Sequence, residues 1–136
     1  MKCHGVETLI IPDSITEIGS TAIYNMDGLK ELVIGNGVKS LDCISASTLK
    51  NLQKLTIGSG ITIIEKYDLM SCNASEIILP KSIKKLEASA MCYCSNLTAI
   101  RYEGTVAEWN AIEKESGWDN GSNNYTVYCI DGEIKK

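Results

Sequence analysis

Cys92-Tyr93-Cys94 is the stretch with the most overt chemical potential, since two thiols one residue apart make half of a tetrahedral zinc site. The second half is missing. The single histidine, His4, lies near the opposite end of the chain, and its neighbour Cys3 has no orienting third group in sight for nucleophilic work. Gly35-Asn36-Gly37 and Gly58-Ser59-Gly60 follow apolar runs but lack the Lys-Ser/Thr of a phosphate loop, so they read as turns. The loop DNGSNN, 119–124, offers oxygens without the ligand spacing of a calcium loop. Trp109 and Trp118 could stack on a sugar, but large aromatics more often bury, and both are expected to be lids over a core. No catalytic, cofactor-binding or metal-ligating residue is therefore assigned, and enzymatic activity is not expected.

The totals narrow the class. A chain of 136 residues can bury one real core. Its apolar fraction, 44%, is mostly Ile and Leu, with no Phe at all, and such residues stack well in regular layers. A net charge of −4 with acids and bases interspersed argues against a nucleic-acid groove, which needs a clustered basic face. No apolar run approaches the roughly 20 residues of a membrane span. MKCHGVETLII has no apolar core of a signal peptide, so the expectation is either a cytoplasmic protein or a piece of a longer exported, cell-surface or secreted chain.

What positions these residues is a repeat. Ile11, Ile34, Ile57, Leu79 and Tyr102 recur 22 or 23 residues apart, each closing a short apolar stretch. Further columns hold register behind them: Ile15, Val38, Ile61, Ile83; Ile18, Leu41, Ile64, Leu86; Met26, Leu49, Cys72, Cys94; and Leu29, Leu52, Leu97, with Ala74 in the shortened third unit. A unit this small cannot bury its apolar face alone and must stack on its neighbours. The alternating segments become parallel strands about 4.8 Å apart. Pro12, Gly35, Gly58 and Pro80 turn the chain, an Ile-x-x-Ile stretch crosses it, and a short helical turn of the Ala22–Met26 kind returns it. Cys72 and Cys94 then fall in a core column and act as small hydrophobes. Most of the six cysteines are expected to be free thiols, although an exported chain would allow bridges.

LKELVIGNGVKSLDCISASTLKNL and IILPKSIKKLEASAMCYCSNL resemble leucine-rich repeats of the BspA-like class, with the likeness covering about residues 8–104. Where that family favours Phe, this chain has Ile23, Ala46, Leu69 and Met91, which implies a thinner core. The resemblance implies a bacterial surface protein that binds host proteins or other cells. In a bacterial chain the Asn-x-Ser/Thr triplets at Asn73, Asn96, Asn120 and Asn124 read as coincidence. The expected fold is α/β: a right-handed leucine-rich-repeat solenoid with a parallel β-sheet of about five strands, repeats of about 23 residues, and a C-terminal helix-loop-strand cap. Residues 1–104 form the repeats and 105–136 the capping segment of the same domain.

The cap is read from Thr105 and Glu108, a capping-box pair, with Val106, Trp109 and Ile112 on a helical face ending near Gly117. YTVYCI reads as a strand, followed by an Asp131-Gly132 turn.

Alternation within the strands leaves two outward columns. One is Thr8, Glu31, Lys54, Glu76, Ala99; the other is Ile10, Val33, Thr56, Ile78, Arg101. Lys54 sits between two acids, and β-branched residues run beside it. Ile10, Glu31, Val33, Lys54, Thr56, Glu76, Ile78 and Arg101 are thus the candidate face for a protein partner, although β-branched residues also simply suit strands. Five such strands offer on the order of 300 Å², below the ~800 Å² per partner of a stable interface, so binding should be weak or depend on avidity. A purely structural spacer is the alternative. Met1 to Glu7 are too short and polar to cover the first coil, so a homodimer through that coil is expected.

Overall fold

A computed structural model describes residues 5–19, 23–24, 26–41, 44 and 46–136. Cys3, His4 and Cys43, and part of the Ala22–Met26 return, lie outside them. Five repeat strands lie side by side in parallel: β1 (Thr8–Ile11), β2 (Glu31–Ile34), β3 (Lys54–Thr56), β5 (Glu76–Leu79) and β7 (Ala99–Tyr102). Their inward residues pair across the sheet as Leu9, Leu32, Leu55, Ile77 and Ile100, so one 22- or 23-residue unit adds one strand. The product is a β-solenoid of about five turns. Ile34, Ile57, Leu79 and Tyr102 are all buried, as are Val38, Ile61 and Ile83, Met26, Leu49, Cys72 and Cys94, and Leu29, Leu52, Ala74 and Leu97. The small residue Ala74 restores the core column where the third unit is one residue short. Ile23, Ala46, Leu69 and Met91 are likewise buried, so the columns survive without Phe.

Two positions of the first column set depart from expectation. Ile15 is 39% exposed and Ile18 half-buried, whereas their counterparts in later coils are closed in. A side chain in a stack is covered by its neighbours on both sides, and among the described residues β1 has a strand, β2, on one side.

The sheet is larger than five strands. β9 (Thr126–Cys129) joins β7 in parallel, and β10 (Gly132–Lys135) returns antiparallel to β9 through the Asp131-Gly132 turn, giving seven strands in the order β1-β2-β3-β5-β7-β9-β10. Ile100 pairs with Val127, an interval of 27 rather than 23, and the helix α1 (Val106–Ala111) takes up the excess. The helix is shorter than expected. Thr105 caps it by accepting from the Glu108 N–H at 3.1 Å, but it stops at Ala111, and Ile112 is already extended. The chain needs that early stop to enter a second sheet, which the repeat pattern did not announce. β4 (Ile63–Ile64), β6 (Lys85–Leu86) and β8 (Glu113–Lys114) lie in parallel along the crossing stretch. On this side Glu87 accepts from the Lys66 N–H at 2.9 Å and Glu115 from the Ala88 N–H at 2.8 Å, so each glutamate satisfies a donor on the coil before it.

The return segment is mostly tight turns instead of a helical turn; among the described residues a 3-10 helix forms at Ala46–Thr48. Tyr67 and Ser71, Ser89 and Tyr93, and Gly117 and Gly121 take left-handed backbone conformations, two per coil and four residues apart. Gly35 and Gly58 answer a different demand. A Cβ there would stand 2.3 Å from the Ile11 carbonyl oxygen and 2.4 Å from that of Gly35, because adjacent coils touch backbone to backbone. That explains the two Gly-x-Gly motifs without any phosphate.

Candidate functional site

The strand register assembles both outward columns as read from the alternation. Thr8, Glu31, Lys54, Glu76 and Ala99 stand in one row, and Ile10, Val33, Thr56, Ile78 and Arg101 in the other. β9 extends them with Thr126 and Tyr128. These two were missed because the 27-residue interval breaks the repeat; alternation within TVYC was the one signal for them. Ile10 is 64% exposed, Val33, Thr56 and Ile78 are half-buried, and Arg101 and Tyr128 are exposed.

The charges are arranged differently from a simple ladder. Lys54 Nζ lies 3.9 Å from Glu31 Oε2, but Glu76 accepts from Arg101 Nε at 2.6 Å, a diagonal contact across two strands. The Arg101 guanidinium also sits over the Tyr128 ring, 4.8 Å from its centroid. Carboxylate and ring together hold Arg101 in one place, a prearranged cation beside an exposed aromatic. The face can therefore present charge and an aromatic surface on a rigid sheet. It holds no pair of groups arranged to move a proton.

The remaining chemical candidates resolve into structure. Cys72 and Cys94 are buried, and burial pushes the Cys72 thiol up to about 12 and raises Cys94 as well. Cys94 Sγ donates to the Leu69 carbonyl at 3.2 Å. A thiol held neutral is a poor nucleophile and a poor metal ligand. Among the described residues no three His, Cys, Asp or Glu groups gather to hold a metal. Trp109 is buried, edge-on to Tyr102 and Trp118, with Tyr125 beyond, at centroid spacings of 5.4, 6.1 and 6.3 Å. This aromatic row lies against the fifth repeat strand, with Trp109 buried and Trp118 half-buried. The Tyr125 hydroxyl donates to Asp119 at 2.6 Å, and burial is the larger cause of its raised pKa. Two of the Asn-x-Ser/Thr triplets also gain a physical reason. Asn73 and Asn96 donate side-chain N–H groups to the Leu49 and Asn73 carbonyls, and Ser75 and Thr98 donate hydroxyls to the Gln53 and Ser75 carbonyls. Both positions lace one coil to the previous one, so the triplet is a stacking device.

A profile of BspA type leucine rich repeat regions, in six copies, matches residues 1–98. The chain belongs to the BspA-type leucine-rich repeat family. Its BspA-type coils are similar in structure to a leucine rich cell surface protein from Faecalibacterium prausnitzii A2-165, with a TM-score of 0.67 and 27% identity. That likeness covers 86% of this chain and 33% of the other, so the chain spans about a third of the length of that neighbour. No curated protein matches it. Among the described residues, no helix of this BspA-type chain is long and apolar enough to cross a membrane.

Proposed function

We propose that this BspA-type array is an adhesion-type protein-binding module of a bacterial cell surface, docking a partner on the outward strand face. The observation that carries the reading is Arg101, fixed between Glu76 and Tyr128 in an outward row that also contains Ile10, Val33, Thr56 and Ile78. Arginine and tyrosine supply much of the energy at protein interfaces, and a side chain already held loses little entropy on binding. The likeness to a leucine rich cell surface protein supports the location. The face is small, so single modules bind weakly and avidity raises affinity. Beads densely coated with the chain should retain host extracellular-matrix proteins, and beads bearing Arg101→Glu with Tyr128→Ala should lose most of that retention while circular dichroism stays unchanged. Equal retention by both would leave a structural spacer as the better reading.

We further infer that two copies pair through the first coil. Leu9, Ile10, Ile15 and Ile18 surround an apolar hollow of about 340 Å³, and β1 offers an edge without charged residues, whereas β10 at the other edge carries Glu133 and Lys135. A two-fold contact would bury both hollows at once. Light scattering after size exclusion should give twice the chain mass, and Ile15→Lys should lower it. A soluble monomer at high concentration would reject the pairing.

A further inference from the structure

The charges on the strand face follow an order that packing of the core does not require. From β2 to β7, Glu31, Lys54, Glu76 and Arg101 alternate in sign, one per strand, with Arg101 leaning back to Glu76. Each keeps between 29% and 52% of its side chain in solvent, enough to reach a partner. Read from the other end, acid, base, acid, base becomes base, acid, base, acid, so the row is its own complement. A second copy laid face to face with its solenoid axis reversed sets Glu31 against Arg101 and Lys54 against Glu76. Laid with the solenoid axes parallel and the strands reversed, it sets Glu31 on Glu31 and Lys54 on Lys54, and like charges repel. The charge order therefore selects one of the two face-to-face arrangements.

The uncharged positions obey the same reversal. A two-fold axis running along the strands, midway between β3 and β5, exchanges β3 with β5, β2 with β7 and β1 with β9. It brings Ile10 of one copy against Tyr128 of the other. These are the two large apolar side chains of the outward row that solvent reaches most, at 64% and 36%. It also sets Thr56 against Ile78, both half-buried, and Val33 along the stem of Arg101. β10, with Glu133 and Lys135, lies outside the exchanged set.

We propose that the partner this face fits is a second copy of the chain, docked face to face about that axis in a homotypic contact between neighbouring modules. The proposal rests on the reading of the strand face as a docking surface, and it names the partner. A two-fold contact repeats every pair, so Glu31–Arg101 and Lys54–Glu76 each form twice beside an apolar seam. Within each copy the same charges already stand 3.9 and 2.6 Å from one another, so the contact joins two prearranged rows into one network. The face offers on the order of 300 Å², far below the ~800 Å² per partner of a stable interface, so two free copies meet only transiently. Crowded copies on opposed surfaces hold through their number. The first-coil pairing is a separate contact, through the end of the stack.

The test uses the full chain coated densely on beads of two colours, always with Ile15→Lys so that the first coil does not contribute. Beads of this parent should cluster at low ionic strength and disperse at about 1 M salt, where charges are screened within ~3 Å. Lys54→Glu beads alone and Glu76→Lys beads alone should stay dispersed, since each variant sets like charges across the axis twice. A mixture of the two should co-cluster, because each then supplies the charge the other lacks. In solution, the backbone amide signals of β3 and β5 in the parent should shift as its concentration rises to millimolar. The proposal is overturned by parent signals that do not move, by clustering of Lys54→Glu beads alone, or by a mixture that stays dispersed while both variants keep the parent's circular dichroism. Parent beads that do not cluster yet retain extracellular-matrix proteins overturn it and leave strand-face docking intact, whereas beads that do neither overturn both.

Discussion

At the scale of single residues, backbone contact between coils sets the sharpest constraints. Gly58→Ala would place a methyl group 2.4 Å from the Gly35 carbonyl oxygen, and neither backbone can move without parting the coils. It should cost about 3 kcal/mol or more in a denaturant melt, while Gly19→Ala, whose added methyl group would meet none of the described residues within 4 Å, should change little. Ser89 is the opposite case. Its φ of 62° is left-handed, and its counterpart in the last coil is Gly117, so Ser89→Gly should be neutral or stabilising by up to about 1 kcal/mol despite the added freedom of the unfolded chain. Cys72 governs part of the alkaline response. Burial raises its pKa from about 9 to about 12, so the folded state favours the neutral thiol. Its contribution is complete below pH 9 and is lost as pH rises towards 12. Cys94, Tyr125 and Tyr102 are raised as well, chiefly by burial, and act in the same direction. The melting temperature should therefore fall steadily above pH 9, and Cys72→Ala, though less stable at neutral pH, should show a shallower fall between pH 9 and 11.

At the scale of elements, α1, β8 and β9 carry the stack beyond the fifth repeat strand. β9 adds to the main sheet and β8 to the second one, so residues beyond Tyr102 continue both sheets of the last repeat. Trp109 is the central contact of this segment, buried between Tyr102 and Trp118. Trp109→Ala should cost about 3–5 kcal/mol. Removing residues 105–136 would uncover Ile100 and Tyr102 and leave β7 as an open edge, and the shortened protein should aggregate, seen as rising light scattering on mild heating. A truncated protein that stays monomeric with an unchanged melting temperature would mark the segment as an independent appendage.

At the scale of the whole molecule, each coil is held by its two neighbours, and stability should vary along the axis. Among the described residues β1 has one neighbouring strand and contains the exposed Ile10, whereas Leu55, Ile77 and Ile100 are fully enclosed. Hydrogen exchange should be fastest in β1 and slowest in β3, β5 and β7, with the difference reflecting partial opening from that end. Ile57 lies in the enclosed middle, 1% exposed, and Ile57→Asp would strand a charge there. The loss should be several kcal/mol and should remove the cooperative transition of the repeats rather than a single activity. An unchanged melt would contradict the assigned core.

The sequence by itself determined the solenoid and the two strand columns, because a core column in a stacked repeat must reappear at the same offset in every unit. Leu32, Leu55, Ile77 and Ile100 do so, and strand alternation then places Glu31, Val33, Lys54, Thr56, Glu76 and Ile78 outward. Only the tertiary structure decided the rest. The second sheet depends on two-residue strands, too short to show a period, which exist because neighbouring coils supply their partners. α1 is cut short at Ala111 because Glu113 and Lys114 are claimed by β6, a competition invisible in local propensity. Arg101 leaves its own row to meet Glu76 on the diagonal, since a long side chain chooses its partner by reach and not by column. The Asn and Ser ladders and the left-handed seat of Tyr93 arise only once one coil lies on another, for their partners sit 21 to 28 residues away in sequence and about 4.8 Å away in space.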